Sequence, residues 1–105
     1  DGRGNEVRLQ HPLGVAWYEG RLYVADTYNH KIKVIDPVSG QTRTLVGSKL
    51  VGMTDEPPTF NEPGGIAAAD GKLVIADTNN HAIRVIDLRN ANRVNTLSIK
   101  GLAPP

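Results

Sequence analysis

The chain has 105 residues, a formal net charge of +1 and 39% hydrophobic residues, which indicates a soluble globular chain and excludes a disordered or fibrous one. It contains no cysteine, which excludes a disulfide framework, a thiolate metal site and a thiol nucleophile among these residues. No apolar run reaches the roughly 18 residues that cross a bilayer, so we expect no membrane segment. The sequence names no compartment, and a cytoplasmic location is the default expectation.

Four short runs in the first half of the chain have the composition of β-strands. Val, Ile, Tyr and Leu dominate residues 13–17, 21–26, 31–36 and 41–46, and turn residues such as Glu19-Gly20 separate them. The second half repeats the pattern at residues 64–68, 72–77, 82–87 and 93–99. No stretch shows helical periodicity, so the sequence predicts an all-β fold.

The two halves are copies of one unit. ADTYNHKIKVID, which begins at Ala25, recurs 51 residues later as ADTNNHAIRVID, which begins at Ala76. A period of about 50 residues is close to those of propeller repeats and longer than those of ankyrin or tetratricopeptide repeats. Each unit therefore corresponds to one four-stranded motif, with the first in residues 1–54 and the second in residues 55–105.

The second run of each unit is apolar without alternation, which indicates a strand covered on both faces. Small residues stand in the first run of each unit: Gly14, Ala16, Gly65 and Ala67. Small side chains let the innermost strands crowd around a narrow axis, so the sequence predicts two four-stranded antiparallel blades of a β-propeller. Two units of a β-sandwich remain the alternative.

The predicted core follows from these strands. Its members are Val15, Leu22, Val24, Ile32, Val34, Ile66, Leu73, Ile75, Ile83 and Val85. In the third run, alternation places Ile32 and Val34 on one face and Lys31 and Lys33 on the other, so we expect the second of these faces to be partly wet.

The repeated segments resemble NHL repeats, a family named for Asn, His and Leu in this hairpin. HPLGVAW with RLYVADTYNHKIKVID, and EPGGIAA with KLVIADTNNHAIRVID, carry the resemblance. A narrower likeness is to the propeller segment of proteins that join a thioredoxin-like domain to NHL repeats, which Asp1-Gly2 and the tail at 101–105 fit. No thioredoxin-like motif is present, so a redox role is not carried over.

Two blades do not close a propeller, because known rings have four to eight blades and each blade buries its faces against its neighbours. We expect the chain to be a piece of a longer protein or a subunit of a homo-oligomer. Three copies that give six blades are the simplest closed ring. The first ten residues resemble the second half of the spacer at 46–61, which favours a longer parent. The expected partners are other blades or a partner protein.

The repeated Asp-Thr-x-Asn-His motif is the strongest candidate for a site. It comprises Asp26, Thr27, Asn29, His30, Asp77, Thr78, Asn80 and His81. An Asp with a His could bind a metal or act as a base. As a turn, the Asp accepts backbone N–H bonds and the Asn takes a positive φ. A catalytic site is built once per propeller and a turn once per blade. We therefore interpret the motif as structural, and we expect no catalytic, metal or cofactor site.

The leading functional prediction is a non-catalytic scaffold or binding module. Its candidate interaction surface comprises Tyr28, Lys31, Lys33 and Arg84. RNA binding is one alternative, through a basic stripe formed by Lys31, Lys33, Arg43, Arg84 and Arg93. The other alternative is a part of a metal-dependent propeller hydrolase or lyase, whose ligands would lie on the ring axis. His11 has no counterpart and is expected to be exposed.

Overall fold

A computed structural model describes residues 1–4, 8–9 and 11–97 of the chain. Nine strands form there: β1 (Gly2–Arg3), β2 (Pro12–Tyr18), β3 (Arg21–Asp26), β4 (Lys31–Ile35), β5 (Gln41–Gly47), β6 (Pro63–Ala69), β7 (Lys72–Asp77), β8 (Ala82–Asp87) and β9 (Arg93–Leu97). Single-turn 3₁₀ helices follow β3 and β7. The prediction of an all-β fold is confirmed, and none of the helices in the described ranges is long and apolar enough to cross a membrane.

The strands form two antiparallel sheets, which are two propeller blades of an incomplete ring. The first has the order β1-β5-β4-β3-β2 and the second the order β6-β7-β8-β9. The first sheet is wider than predicted because Gly2 and Arg3 pair with Thr42 and Gln41 on the outer edge of β5. The predicted end of the last run and the predicted tail fall in 98–105, outside the described residues.

The blades contact each other through their first strands, since β6 packs against β2 and β3. Gly14 makes this approach close: a Cβ there would collide with the carbonyl oxygen of Gly64 and lie 3.0 Å from Ile66 Cγ2. Tyr18, on the same face of β2, accepts a hydrogen bond of 2.6 Å from the Gly71 N–H. One face of the first blade is thus covered by the second blade.

The core lies between the two sheets. It comprises Tyr23, Ala25, Ile32, Val34, Val46, Phe60, Leu73, Ile75, Ile86 and Val94. Of the predicted core, Val24, Ile32, Val34, Leu73 and Ile75 are buried, and Leu22, Ile66, Ile83 and Val85 are half-buried. The prediction that Val15 belongs to the core is wrong. Its side chain is 62% exposed because it projects from the face of β2 opposite to Gly14.

Candidate functional site

The backbone of each repeated hairpin reverses at its histidine. The 3₁₀ helix Thr27–Asn29 ends at His30, which has φ 58° and donates its N–H to the Thr27 carbonyl at 3.2 Å. In the second blade His81 takes the same conformation with φ 53°. The expectation that the asparagine takes the positive φ is therefore wrong: the asparagine stays inside the helical turn and the histidine leaves it.

The asparagine instead fixes the buried aspartate of its own hairpin. Asn29 Nδ2 donates to Asp26 Oδ2 at 2.7 Å, and Asn80 Nδ2 donates to Asp77 Oδ2 at 2.7 Å. Neither aspartate caps the helical turn that follows it. Asp77 also accepts the Asn61 backbone N–H at 2.8 Å, so the carboxylate joins the hairpin to the chain that enters β6.

The threonine and histidine of the first hairpin bind across the blade interface. Thr27 Oγ1 donates to the Pro63 carbonyl at 2.7 Å, and His30 Nδ1 accepts the Glu62 N–H at 3.0 Å. In the second hairpin, Thr78 and His81 are exposed, and within the described part of the chain no hydrogen bond joins their side chains to another blade. Among the described residues, the first copy of the motif therefore connects the two blades and the second copy does not.

Arg84 is fully buried, so its predicted place on an interaction surface is wrong. Its Nη1 donates to the Thr59 carbonyl at 2.7 Å and to Asp77 Oδ2 at 2.8 Å. Its Nη2 donates to the Thr54 carbonyl at 2.7 Å and to Asp55 Oδ1 at 2.8 Å. The guanidinium carbon also lies 4.8 Å from the centre of the Phe60 ring. The spacer before the second blade is therefore fastened to β8 by one side chain.

Lys33 occupies the same position in the first blade, and its predicted exposure is also wrong. It is 2% exposed, its Nζ donates to Asp1 Oδ1 at 3.2 Å, and the same Nζ lies 3.9 Å from Asp26 Oδ2. Lys33 is paired with Val24 across the sheet, so it lies on the same face as that buried apolar residue. Alternation correctly separated Lys33 from Ile32 but did not reveal that the N-terminal segment covers it.

A threonine on the last strand completes each cluster. Asp55 Oδ1 accepts from Thr96 Oγ1 at 2.9 Å, and Asp1 Oδ1 accepts from Thr44 Oγ1 at 2.9 Å. Each blade thus holds a cation between a hairpin aspartate and a spacer aspartate, and we call this group the cation cluster of the blade. The strand pattern alone does not predict it. The signal that could have revealed it is the equivalence of Thr44 and Thr96, together with an aspartate in the spacer before each blade.

The spacer aspartate of the second blade responds to this environment. Partial burial by itself would raise the pKa of Asp55. The hydrogen bonds from Arg84 and Thr96, together with the charge of Arg84, outweigh burial and hold the pKa of this carboxyl below its ordinary value. The ionised form of Asp55 is therefore the one that fits the folded chain.

The comparison with known families agrees with this repeated geometry. Residues 9–35 and 60–86 match the family described as NHL repeat. The chain belongs to the NHL repeat family. Each matched segment of this NHL chain contains three strands of one blade and the hairpin between the second and third of them.

Two kinds of NHL relative match most of the chain. "NHL repeat-containing protein 2" of Bos taurus is 53% identical over 96 residues, which is 84% of this chain and 13% of that protein. The same-named protein of Homo sapiens is 50% identical over 96 residues. "Protein SUPPRESSOR OF QUENCHING 1, chloroplastic" of Arabidopsis thaliana is 46% identical over 112 residues, which is 100% of this chain and 11% of that protein. The chain thus spans about an eighth of the length of these relatives.

The remaining candidate residues of the NHL hairpins lie at the rim of the blades. Tyr28 is 45% exposed and its ring centre lies 4.4 Å from that of His11, which is exposed as expected. The equivalent pair of the second blade is hydrogen-bonded, since Asn79 Nδ2 donates to Glu62 Oε2 at 2.6 Å. Lys31 is half-buried. The structure thus brings each variable hairpin residue against the residue that precedes its blade.

Proposed function

We propose that this chain is a non-catalytic NHL-repeat scaffold that presents its loops to a protein partner or ligand. Each blade has one face that the other blade does not cover, which we call its open flank, and further blades bind at both open flanks. The interface between the two blades supports the proposal, because it contains the contacts that join one NHL blade to the next. Thr27 and His30 are the polar half of that interface, and Gly14 allows its close approach.

The open flank of the second blade carries the second copy of the threonine and histidine that join the two blades. Thr78 and His81 repeat Thr27 and His30, and both are exposed. Gly65 repeats Gly14, and Val74 on the neighbouring strand is 41% exposed. The first strand of another blade could therefore pack against this flank as β6 packs against the first blade.

The open flank of the first blade carries the complementary half, and it is the observation on which the proposal chiefly rests. Leu13, Val15 and Trp17 alternate on one face of β2 and are 71%, 62% and 62% exposed. Three large apolar side chains in a row form the kind of patch that marks an interaction surface. The blades that cover it come from a longer polypeptide or from other copies of this chain. Among rings of copies, we favour the trimer with six blades.

Trp17 provides a direct test because it is the one tryptophan of the sequence. If blades dock on this flank, the mass of the isolated chain in solution rises with concentration and the emission of Trp17 shifts to shorter wavelength as the ring is buried. Val15→Glu should abolish both changes. Val38→Glu introduces the same charge on a turn at a side chain that is 96% exposed, and should leave both unchanged. A chain that stays monomeric at every concentration, or a response to both variants alike, contradicts self-docking.

The RNA-binding alternative loses two of the five residues of its basic stripe. Lys33 and Arg84 are both buried in ion pairs. For the metal-dependent alternative, no group of three or more His, Asp or Glu side chains in the described ranges could hold a metal ion.

A further inference from the structure

Three arginines from three different strands line one pocket of the first blade. Arg3 of β1, Arg21 of β3 and Arg43 of β5 surround a cavity of about 260 Å³. Its remaining lining residues are Val34, Asp36, Ser39 and Gln41. We propose that this arginine pocket binds the phosphate group of a phosphorylated side chain on a partner protein.

Strand register explains why these side chains meet. Arg3 pairs with Gln41, whose carbonyl accepts the Asp36 N–H at 2.9 Å. Arg43 stands two residues after Gln41 and pairs with Val34. Residues directly opposite one another, and residues two apart on one strand, project from the same face of a sheet. The pairing of β1 with β5 therefore brings Arg3 to the same face as Arg43.

The charge of the pocket is not balanced by the residues that the structure describes. The buried cations of the two clusters each have a carboxylate partner, whereas in the described ranges no hydrogen bond or ion pair involves the side chains of Arg3, Arg21 or Arg43. Asp36 is the one acidic residue of the lining, and its Oδ1 accepts the Val38 N–H at 2.9 Å in the adjoining turn. The pocket thus offers three guanidinium groups against one carboxylate.

Among the described residues, the arginine pocket occurs in one blade only. Asn95 holds the place of Arg43 in the second blade, since it pairs with Val85 as Arg43 pairs with Val34. No strand of the described residues adds to β9 as β1 adds to β5. A feature that the fold itself requires recurs in each blade, as the cation cluster does. The arginine pocket does not recur, which points to a ligand.

The chemistry of the lining selects the ligand. A guanidinium presents paired donors that match two oxygens of a phosphate, and several guanidinium groups together suit a dianionic phosphate monoester. At about 260 Å³ the pocket is smaller than usual small-molecule sites, which fits a phosphate with its nearest atoms. No aromatic side chain lines it, so it has no platform for stacking a base. A phosphorylated side chain is therefore favoured over single-stranded RNA.

The inference deepens the proposed binding role but uses residues away from the open flanks. The test is an NMR titration of the full chain with O-phosphoserine, in which the Nε–H signals of the arginines are followed. We expect the signals of Arg3, Arg21 and Arg43 to shift together, and Arg43→Ala to weaken binding about tenfold. Arg43→Lys should recover only part of the affinity, because lysine restores the charge but not the paired N–H donors of the guanidinium. Arg93→Ala, which removes an exposed arginine of β9, should bind as the parent chain does.

Three results would overturn the inference. In the first, phosphoserine leaves the three signals unmoved, or Arg93→Ala loses as much affinity as Arg43→Ala. In the second, inorganic phosphate binds as tightly as a phosphoserine peptide, which assigns the pocket to free phosphate. In the third, oligouridine binds in an Arg43-dependent way while phosphoserine does not, which assigns it to RNA. Titration of Val15→Glu separates the two proposals, because a chain that cannot self-dock should still bind phosphoserine.

Discussion

Replacing Arg84 by methionine removes the buried cation of the second blade and keeps a side chain of similar length. Four hydrogen bonds are lost, two to carboxylates and two to backbone carbonyls. Asp55 has a side chain that is 41% exposed and can regain water, whereas the Asp77 side chain is 0% exposed and cannot. The cost therefore falls chiefly on Asp77, which becomes a buried charge without its cation, and we expect a loss of about 3 to 5 kcal/mol in the free energy of unfolding.

Urea unfolding followed by far-UV circular dichroism measures this loss. With an m-value of about 2 kcal/mol/M, the midpoint should fall by about 2 M. Arg89→Met is the matched control. The ion pair of Arg89 with Glu19 is 3.0 Å long, but its side chains are 66% and 60% exposed. We expect Arg89→Met to cost no more than about 1 kcal/mol.

The same comparison can refute the reasoning about burial. If Arg84→Met and Arg89→Met shift the midpoint equally, the cation cluster does not hold the spacer on the blade. If Arg84→Met does not fold at all, Arg84→Lys keeps the measurement possible. It retains the charge, as Lys33 does in the first blade, but loses the paired donors of the guanidinium. Its stability should therefore lie below that of the parent and of Arg89→Met and above that of Arg84→Met. A lysine variant as stable as the parent would mean that the paired geometry contributes nothing.

Three further predictions concern the glycine contact, the first cluster and pH. Gly14→Ala should cost about 1 to 3 kcal/mol because its Cβ meets the Gly64 carbonyl, while Gly65→Ala, whose nearest atom would be 3.7 Å away, should be tolerated in thermal unfolding. Asp26→Ala should lower the urea midpoint by an amount equivalent to about 1 to 3 kcal/mol, since it leaves the Asn29 amide unpaired; an unchanged midpoint would contradict this. Because the pKa of Asp55 is lowered on folding, its contribution to stability is fully present above the ordinary aspartate pKa of about 3.9 and is lost as pH falls through the lower folded value. Asp55→Asn should therefore lose less stability below about pH 4 than the parent, and parallel curves would exclude this role.

The 51-residue repeat was enough to predict the strands and the blades, because strand pairing within a blade is local in sequence and each turn carries its own Gly, Pro or Asn signal. The contacts of the hairpin were not predictable in the same way. The repeat marked Asn29 and His30 as structural, but which of them takes φ 58° depends on whether the asparagine is held by Asp26. Val15 failed as a core residue because alternation gives the face of a side chain and not what covers that face.

The sequence by itself determined that this chain contains two copies of an NHL unit and that an Asp-Thr-x-Asn-His hairpin recurs in both. Those features depend on near neighbours in the chain and on period-2 patterning, and both can be recognised in a single sequence. Only the tertiary structure decided that Lys33 and Arg84 are interior cations, because their burial is caused by segments 32 and 29 residues away. It also decided that Arg3, Arg21 and Arg43 meet in one pocket, because strand register across a sheet, and not proximity in sequence, brings them together.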